Sequence, residues 1–458
     1  MAWVLQRDVQ CQGALWLPGV LIPAGPQLSG ACIEATLTTP TVPVSTSRPT
    51  PLAATHTRWM QLLMGMICMM AVSSPQYVWT LFTKPIMAEY GTSLSVLQVT
   101  FSLLIVFQTF LSPFQGFLVD RFGPRLLLST GALLTGASWI LTSYAGSIVG
   151  LYLSYGLLGG IGTGIIYVGI IGLMVQWFPD RRGFATGLVA AGYGMGAILT
   201  TFPISASLAA GNYRHTLLVF GIIIGIVGFL AAQGLKRPPA QWMADFHSQE
   251  ISARDVTPRK MLGTPVFWVM FLMMTMMSTS GLMVISQMGS FAKDFGVTSV
   301  LVFGMAALPL ALTIDRFTNG LTRPFFGWVS DRIGRENTMT LAFGLEGIAM
   351  IIWLVTRDNA VLFVLMSGVV FFGWGEIFSL FPSTLTDTFG TRNATTNYGF
   401  LYMAQGVGSV LGGPLAALLH EATGSWIPVF TVVICMDLLT AVLAYTVLKP
   451  MRRRYLDS

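Results

Sequence analysis

Charged side chains are scarce in this chain. Only 10% of its 458 residues are Asp, Glu, Lys or Arg, and 53% are apolar, whereas roughly a quarter of the residues in a soluble domain are charged. The scarcity excludes a soluble globular protein and indicates a membrane protein. From Trp59 to the end, the chain contains twelve apolar stretches that are long enough to cross a hydrocarbon core as helices. These stretches are 59–81, 94–119, 126–145, 148–176, 184–209, 215–235, 266–290, 299–328, 338–356, 360–382, 395–419 and 427–448.

Short stretches of alternating apolar and polar residues, which would indicate a membrane barrel, are missing. Lipid offers the backbone no hydrogen-bond partners, so the spanning segments must be helices. Cysteine is also rare, and Cys11, Cys32, Cys68 and Cys435 show neither metal-ligand spacing nor a disulfide framework. The HExxH, GxSxG and P-loop patterns do not occur. We therefore predict an all-α polytopic membrane protein that is not an enzyme and binds no metal, cofactor or nucleotide.

Lysine and arginine are distributed unevenly among the predicted loops. Nineteen lie on the side that would hold both termini, and only Lys84, Arg214, Lys293 and Arg357 lie opposite. The positive-inside rule then places both termini in the cytoplasm. Topology thus accounts for the formal net charge of +6, and the charge does not indicate nucleic-acid binding.

Two polar segments set the domain boundaries. Residues 1–57 are rich in Pro and Thr toward their end and lack helical periodicity, which predicts a disordered extension. The polar stretch 236–264 divides the twelve helices into six and six. We therefore predict an N-terminal half at 58–235, a cytoplasmic linker at 236–264, a C-terminal half at 265–448 and a basic cytoplasmic tail at 449–458.

One phrase of the sequence occurs twice. The segment "LSPFQGFLVDRFGPR" at 111–125 is echoed by "LTRPFFGWVSDRIGR" at 321–335. A shift of 211 residues superposes Pro113 on Pro324, and it also brings Phe178 onto Phe389 in a separate loop. Because one offset joins two loops, we predict two pseudo-symmetric six-helix halves with a binding site at their interface.

The repeated phrase resembles the signature of the major facilitator superfamily, a Gly-x-x-x-Asp-Arg-x-Gly pattern in a cytoplasmic loop. The resemblance implies a transporter fold of twelve helices, in which these loops form charged contacts that close the cytoplasmic side. In this chain the gate residues are Gly116, Asp120, Arg121, Gly123 and Arg125, and then Gly327, Asp331, Arg332, Gly334 and Arg335.

Several other segments, among them "QYVWTLFTKP", "WFPDRRGFATG" and "FFGWGEIFSLFPSTLTDTFGT", resemble the oxalate/formate antiporter family from Trp59 to Leu448. In that family an arginine of the eighth helix and a lysine of the eleventh hold the two carboxylates of oxalate. The matching arginine is Arg323, whereas Gln405 stands at the position of the lysine, so a second carboxylate would lose its charged partner. The resemblance further implies a pocket lined by Gln76, Tyr77, Tyr167, Trp374, Phe378 and Tyr402.

Arg323 also stands out without the family. A charge in the hydrocarbon region costs at least about 2.5 kcal/mol, so an intramembrane arginine is a functional candidate. Its planar guanidinium can donate two parallel hydrogen bonds to one carboxylate. Arg316 and Asn319 recur on nearly the same helix face and could extend the site. The alternatives are a buried salt bridge between Arg323 and Glu376 or Asp315, and neutralisation of Arg316 by Asp315.

Glu376 lies in the predicted tenth helix. A buried carboxylate without a permanent partner could bind and release a proton during transport, whereas an ion pair with an arginine would make its role structural. For Glu346 and Asp437, in predicted helices nine and twelve, we expect polar packing.

These features together predict a secondary active transporter of small organic carboxylates that works by alternating access and antiport. Proton-coupled symport of a monocarboxylate is the alternative, and a membrane receptor that binds a solute without moving it is a more remote one. We expect a monomer in a lipid bilayer, the bacterial inner membrane in view of the family, with a carboxylate as its small-molecule partner.

Overall fold

A computed structural model describes residues 51–92, 94–209, 211–239, 255–297 and 300–457. Most of the predicted disordered extension, including Cys11 and Cys32, and residues 240–254 of the predicted linker lie outside the described residues. The first helix begins at Pro51, earlier than the boundary expected at 58. The described end of the linker forms a short helix, Pro258–Leu262.

The first half consists of helices joined by short turns. Caps mark several of the turns, since the side chains of Ser147 and Asn212 accept hydrogen bonds from Gly150 and His215 in the first turns that follow. The helices are α1 Pro51–Ala71, α2 Ser74–Tyr77, α3 Trp79–Tyr90, α4 Leu94–Phe110, α5 Ser112–Phe122, α6 Pro124–Ser143, α7 Ile148–Leu151, α8 Gly159–Trp177, α9 Arg182–Ala209 and α10 Tyr213–Gln233, with a π-helical segment, Tyr152–Leu158, between α7 and α8.

The second half repeats this pattern after the short helix α11, Pro258–Leu262. Its first long helix is preceded by a Thr264 cap and α15 by an Asn359 cap. The elements are α12 Pro265–Asp294, a hairpin of β1 Leu301–Val302 and β2 Met305–Ala306, α13 Ala307–Ile333, α14 Arg335–Val355, α15 Ala360–Trp374, α16 Ile377–Phe389, α17 Ala394–Val410, α18 Ala416–Thr423, α19 Ile427–Leu443 and α20 Lys449–Asp457, with π-helical segments at Leu411–Leu415 and Ala444–Leu448. The hairpin pairs Leu301 with Ala306 and Val302 with Met305 in antiparallel register, so α13 begins eight residues after the predicted start at 299.

Nine helical runs of the described residues are long and apolar enough to cross a membrane, and two bent helix pairs raise the count to eleven. The pairs bend by 48° and 49°, and Pro113 lies at the start of the helix after the second bend, where its missing N–H weakens helix continuity. Helix α13 corresponds to the predicted span 299–328, which is not among these eleven. It has 27 residues, but Asp315, Arg316 and Arg323 lower its apolar character.

The halves meet chiefly along two pairs of helices. Helix α9 of the first half packs on α13 of the second, and α5 of the first half packs on α17 of the second. At one end of these pairs, Gly123 and Gly334 end α5 and α13 with φ values of 95° and 93°, which glycine adopts without strain. We call this end of the bundle the motif end.

Candidate functional site

Glycines bring the two halves into backbone contact at the motif end. A Cβ on Gly327 would meet the carbonyl oxygen of Gly183, and a Cβ on Gly183 would meet that of Gly327. In the other helix pair, a Cβ on Gly116 would lie 2.5 Å from the carbonyl oxygen of Thr395. The shift of 211 residues converts Gly116 into Gly327 and Thr395 into Phe184, next to Gly183. The repeat found in the sequence therefore recurs as two equivalent contacts between the halves.

The motif aspartates cross from one half to the other. Oδ2 of Asp120 accepts hydrogen bonds from the amide and hydroxyl of Thr396, at 2.8 and 2.6 Å. The carboxylate of Asp331 accepts from the amides of Gly183 and Phe184, at 3.0 and 2.9 Å. Each carboxylate thus caps the first turn of a helix in the opposite half, where unpaired N–H groups and the helix dipole favour negative charge.

An ion network that sequence reasoning missed also spans the halves here. Arg182, which begins α9 and is only 1% exposed, pairs with Asp387 of α16. Nε of Arg335 lies 2.8 Å from Oδ2 of Asp387, and its Nη1 lies 2.5 Å from Oδ1 of Asp331. A carboxylate near the end of a long apolar run was the available signal for Asp387, whereas Arg182 was counted only as a loop charge.

The signature arginines do not form the charged contacts expected between the two loops. The guanidinium of Arg332 lies 3.9 Å from the ring centroid of Trp328, and that of Arg121 lies 5.6 Å from the ring of Phe122. Both are exposed and stack on aromatic residues of their own helices. Arg125 is exposed as well. The contacts that cross between halves come from the aspartates, which bind backbone amides, and from Arg182 and Arg335.

We expect the substitution Gly327→Ala to open the motif end. The new methyl group would overlap the Gly183 carbonyl, and overpacking of this kind costs about 1–3 kcal/mol, enough to reduce the closed population about tenfold. Exchange of labelled substrate in liposomes should fall accordingly. Gly289→Ala is the matched control, because in α12 its Cβ position has no atom of another described part of the chain within 4 Å. Equal rates for the two variants would contradict the gate.

Farther from the motif end, Arg323 lies buried at the interface of the halves, with 1% of its surface exposed. Its Nη1 donates to the carbonyl oxygen of Ala190 in the first half at 2.6 Å, and its Nε and Nη2 donate to Oδ1 of Asn319 at 3.1 and 2.8 Å. Gly194 leaves room for the guanidinium, since a Cβ there would lie 3.4 Å from Cζ. All of these partners are neutral.

The expected aromatic residues gather beside Arg323. The Phe378 ring centroid lies 4.5 Å from its Cζ. Tyr167 of the first half stacks on Tyr402 of the second, with ring centroids 4.8 Å apart and planes 14° apart. Tyr167 also lies edge-on to Phe378, and Phe378 lies edge-on to Trp374. These four aromatic side chains, which we call the aromatic wall, thus come from both halves.

Gln108 contacts the aromatic wall, and sequence reasoning missed it. Its Nε2 lies 3.3 Å from the hydroxyl of Tyr193 and 3.2 Å from that of Tyr402, so it links the two halves. The Tyr193 hydroxyl donates in turn to Oε1 of Gln76 at 2.7 Å, and Tyr193 lies edge-on to Tyr77. A buried glutamine in α4 carried no charge and matched no quoted motif, which explains the omission.

The remaining predicted residues differ in their surroundings. Gln405 is 6% exposed, and its Oε1 has no hydrogen-bond partner among the described residues. Trp374 fits against Gly281 and donates from Nε1 to the Met277 carbonyl at 2.8 Å. Arg316 is exposed, two turns from buried Arg323, so the helix face of α13 that was expected to extend the site has one buried and one exposed cation.

The salt bridges considered for Arg323 are not among the ion pairs of the described residues. Glu376 is fully buried, and neither of its carboxylate oxygens has a hydrogen-bond partner in the described part of the chain. The same holds for both oxygens of buried Asp315. The guanidinium of Arg323 thus lies beside aromatic rings and neutral acceptors, with no carboxylate paired to it among the described residues, an arrangement able to bind a carboxylate.

The sequence of this chain is similar to that of known membrane transporters. Residues 61–317 and 308–456 match the family model of the Major Facilitator Superfamily. The chain is 33% identical to an oxalate:formate antiporter of Oxalobacter formigenes over 86% of its own length and 93% of the relative's. It is 24% identical to bovine monocarboxylate transporter 13, covering 72% of this chain and 75% of that one.

Among solved structures, the proton:xylose symporter XylE matches with a TM-score of 0.68 at 13% identity, over 86% of this chain and 96% of that chain. At this identity the match speaks for the fold alone. The predicted all-α fold of two six-helix halves and the predicted family are confirmed. The chain belongs to the Major Facilitator Superfamily of multi-pass membrane transporters.

Proposed function

We propose that this protein transports small organic carboxylate anions by alternating access and that Arg323 binds the carboxylate. The buried guanidinium carries the proposal, because it contacts both halves and forms no ion pair among the described residues. A carboxylate is the ligand that matches its charge and planar donor geometry. The names of the relatives, an oxalate:formate antiporter and a monocarboxylate transporter, support the same substrate class.

Antiport is the mode that we propose first. If the substrate leaves and nothing replaces it, the return step must carry a buried cation without a counter-ion, which is costly. A second anion bound at Arg323 removes this cost. The distribution of Lys and Arg supports a cytoplasmic motif end and cytoplasmic termini, and the Oxalobacter relative favours a bacterial inner membrane. We infer that a single chain suffices, since both halves that form the site belong to it.

Proton-coupled symport of a monocarboxylate is the second candidate. Two residues favour it: Gln405 supplies no second positive charge, and the carboxylate of Glu376 is buried without a hydrogen-bond partner among the described residues. In this mode a proton on Glu376 or a neighbouring acid would accompany the anion.

Uptake by purified protein in liposomes tests the proposal. Vesicles are preloaded with unlabelled oxalate, formate, pyruvate or lactate, or left empty, and uptake of each labelled anion is followed. Uptake that requires an internal anion supports antiport, and filling of empty vesicles under an imposed pH gradient supports symport. Binding without accumulation would leave only the receptor alternative, and failure to bind any of the four anions would contradict the proposed site.

We expect Gln405→Lys to shift selectivity toward dicarboxylates. Gln405 lies one turn from Tyr402 on α17, so an ammonium there would bring a second cation to the same side of the pocket. A charge-assisted hydrogen bond contributes about 1.5–3 kcal/mol, which corresponds to roughly tenfold or more in the ratio of oxalate to formate affinity. Competition against one labelled substrate measures the ratio. Gln405→Met, neutral and similar in length, should leave oxalate no better bound; an unchanged ratio in the lysine variant would place Gln405 outside the site.

A further inference from the structure

Two acidic residues of the second half share one hydroxyl group. Glu346 in α14 and Asp437 in α19 both have 0% of their surface exposed. Between them lies Ser280 of α12, whose Oγ is 2.8 Å from Oδ2 of Asp437 and 3.3 Å from Oε1 of Glu346. The other carboxyl oxygen of each residue has no hydrogen-bond partner in the described part of the chain. From the sequence we expect only polar packing for these two residues. Polar packing does not explain how one hydroxyl group can hydrogen-bond to two acids.

The two contacts of Ser280 can both be hydrogen bonds only if one of the acids carries a proton. A serine hydroxyl has one hydrogen to donate, and an ionised carboxylate can only accept. If both acids were ionised, Ser280 could serve only one of them. If one acid carries a proton, its O–H can donate to Ser280 Oγ while Ser280 donates to the other acid, so both contacts become hydrogen bonds. Burial and mutual repulsion favour the same state, because two carboxylates at one buried site do not both ionise readily.

A third buried acid, Glu376, lies close to this pair, and it also indicates that a proton binds here. Glu376 is 0% exposed, both of its oxygens are unpartnered among the described residues, and it lies three residues after Gly373, which contacts Glu346. Phe378, two residues after Glu376, stacks on the guanidinium of Arg323. The groups that face the pair are therefore Ser280 from α12, Glu376 from the junction of α15 and α16, and, beyond Glu376, Arg323 from α13.

The α15–α16 junction connects the pair with the anion site. At one end, a Cβ on Gly373 would lie 2.8 Å from Cβ of Glu346. Two residues on, a Cβ on Gly375 would lie 2.7 Å from the carbonyl oxygen of Asn319, the residue that binds Arg323. Phe378 then stacks on the guanidinium itself. A segment of six residues thus contacts both sites, and it is interrupted at Gly375 and Glu376, where the helix is broken.

We propose that Glu346, Asp437 and Ser280 form a proton-binding site and that Glu376 couples its occupancy to carboxylate binding at Arg323. When an anion binds Arg323, a second proton from water forms an O–H bond with one of the three carboxylates, and the added negative charge is balanced. When the anion leaves, that second O–H bond breaks and its proton returns to water, while the first proton stays on the pair formed by Glu346 and Asp437. Ionised Glu376 then compensates the empty Arg323, so this coupling develops the symport candidate, in which no second anion is needed for the return step. The coupling rests on the proposed function, whereas the bound proton does not.

Infrared spectroscopy of the purified protein in lipid tests the bound proton without any transport assay. The C=O stretch of a protonated carboxyl should be present at neutral pH and should be lost in Glu346→Gln or Asp437→Asn. Ser280→Ala should keep the band and shift its frequency, because it removes the hydroxyl partner and leaves both acids in place. Glu336→Gln is the control, since Glu336 is buried but paired with Arg452 at 2.7 Å. A spectrum in which none of the three site variants differs from the parent overturns the proton site.

Transport in liposomes tests the coupling. Glu346→Gln and Asp437→Asn should keep exchange between equal anion concentrations and lose the accumulation that an imposed pH gradient drives. A variant that loses the infrared band but keeps gradient-driven accumulation overturns the coupling and leaves a fixed structural proton. If the parent protein shows the band but moves no carboxylate in either assay, the proposed function fails and the coupling fails with it, while the proton site stands.

Discussion

Replacement of Arg323 by glutamine should abolish carboxylate transport. The variant loses both the buried positive charge and the paired donors, each worth about 1.5–3 kcal/mol when the partner is charged, so affinity should fall about a hundredfold or more. Arg323→Lys keeps the charge but not the planar fork, and should retain weak transport with lower affinity. Uptake into preloaded liposomes measures the loss of transport, and the thermal shift caused by added substrate measures the loss of affinity.

Arg181→Gln is a matched control for this experiment. Its side chain is 57% exposed and only loosely paired with Asp180 at 3.6 Å, so an arginine is removed without disturbing the pocket. We expect its transport to equal that of the parent protein. Normal uptake by Arg323→Gln would show that the carboxylate binds elsewhere.

The second large effect is expected from Asp387→Asn. This carboxylate neutralises both Arg182 and Arg335 at the motif end, and removal of one partner from a buried ion pair costs about 3–5 kcal/mol. The cost falls mainly on the closed motif end, because Arg182 belongs to the first half and Asp387 to the second. We expect loss of transport and a population shifted toward an open motif end.

Thiol labelling can detect this shift. Ser383 lies 3.3 Å from Thr186 across the interface, so a cysteine at position 383 should react faster with a polar reagent when the motif end opens. The four native cysteines must be replaced first. Asp358→Asn, at a position whose side chain is 80% exposed, should change neither labelling nor transport. Adding Arg182→Gln to Asp387→Asn should restore part of the closed population, because Arg182 is the cation that loses its carboxylate, whereas Arg335 still pairs with Asp331. Unchanged labelling in Asp387→Asn would show that this network does not hold the motif end shut.

The sequence was most informative where a pattern repeats or where a charge interrupts an apolar run. The offset of 211 residues anticipated that Gly116 and Gly327 play equivalent parts, and both lie at contacts between the halves. Arg323 stood out because a charge in lipid is costly, and the structure places it beside the expected aromatic residues.

Partners that depend on tertiary contacts could not be anticipated in the same way. Gln108 links Tyr193 to Tyr402 from the other half, and no local pattern distinguishes it from other buried amides. Asp331 binds backbone amides, which every sequence contains, so its partners could not be identified from residue types. The start of α13 was placed too early because the hairpin before it is as apolar as the helix.

Away from the motif end, the buried acidic and basic residues described above all belong to the second half: Asp315, Arg323, Glu346, Glu376 and Asp437. Beside Arg323, the first half contributes neutral groups, among them Gln108, Tyr167 and Tyr193. The charge at the site and the neutral groups beside it are therefore supplied by different halves. Changes in the neutral half can alter which carboxylate fits without altering the charge balance of the cycle, so relatives with different substrates should differ most in the first half of the pocket.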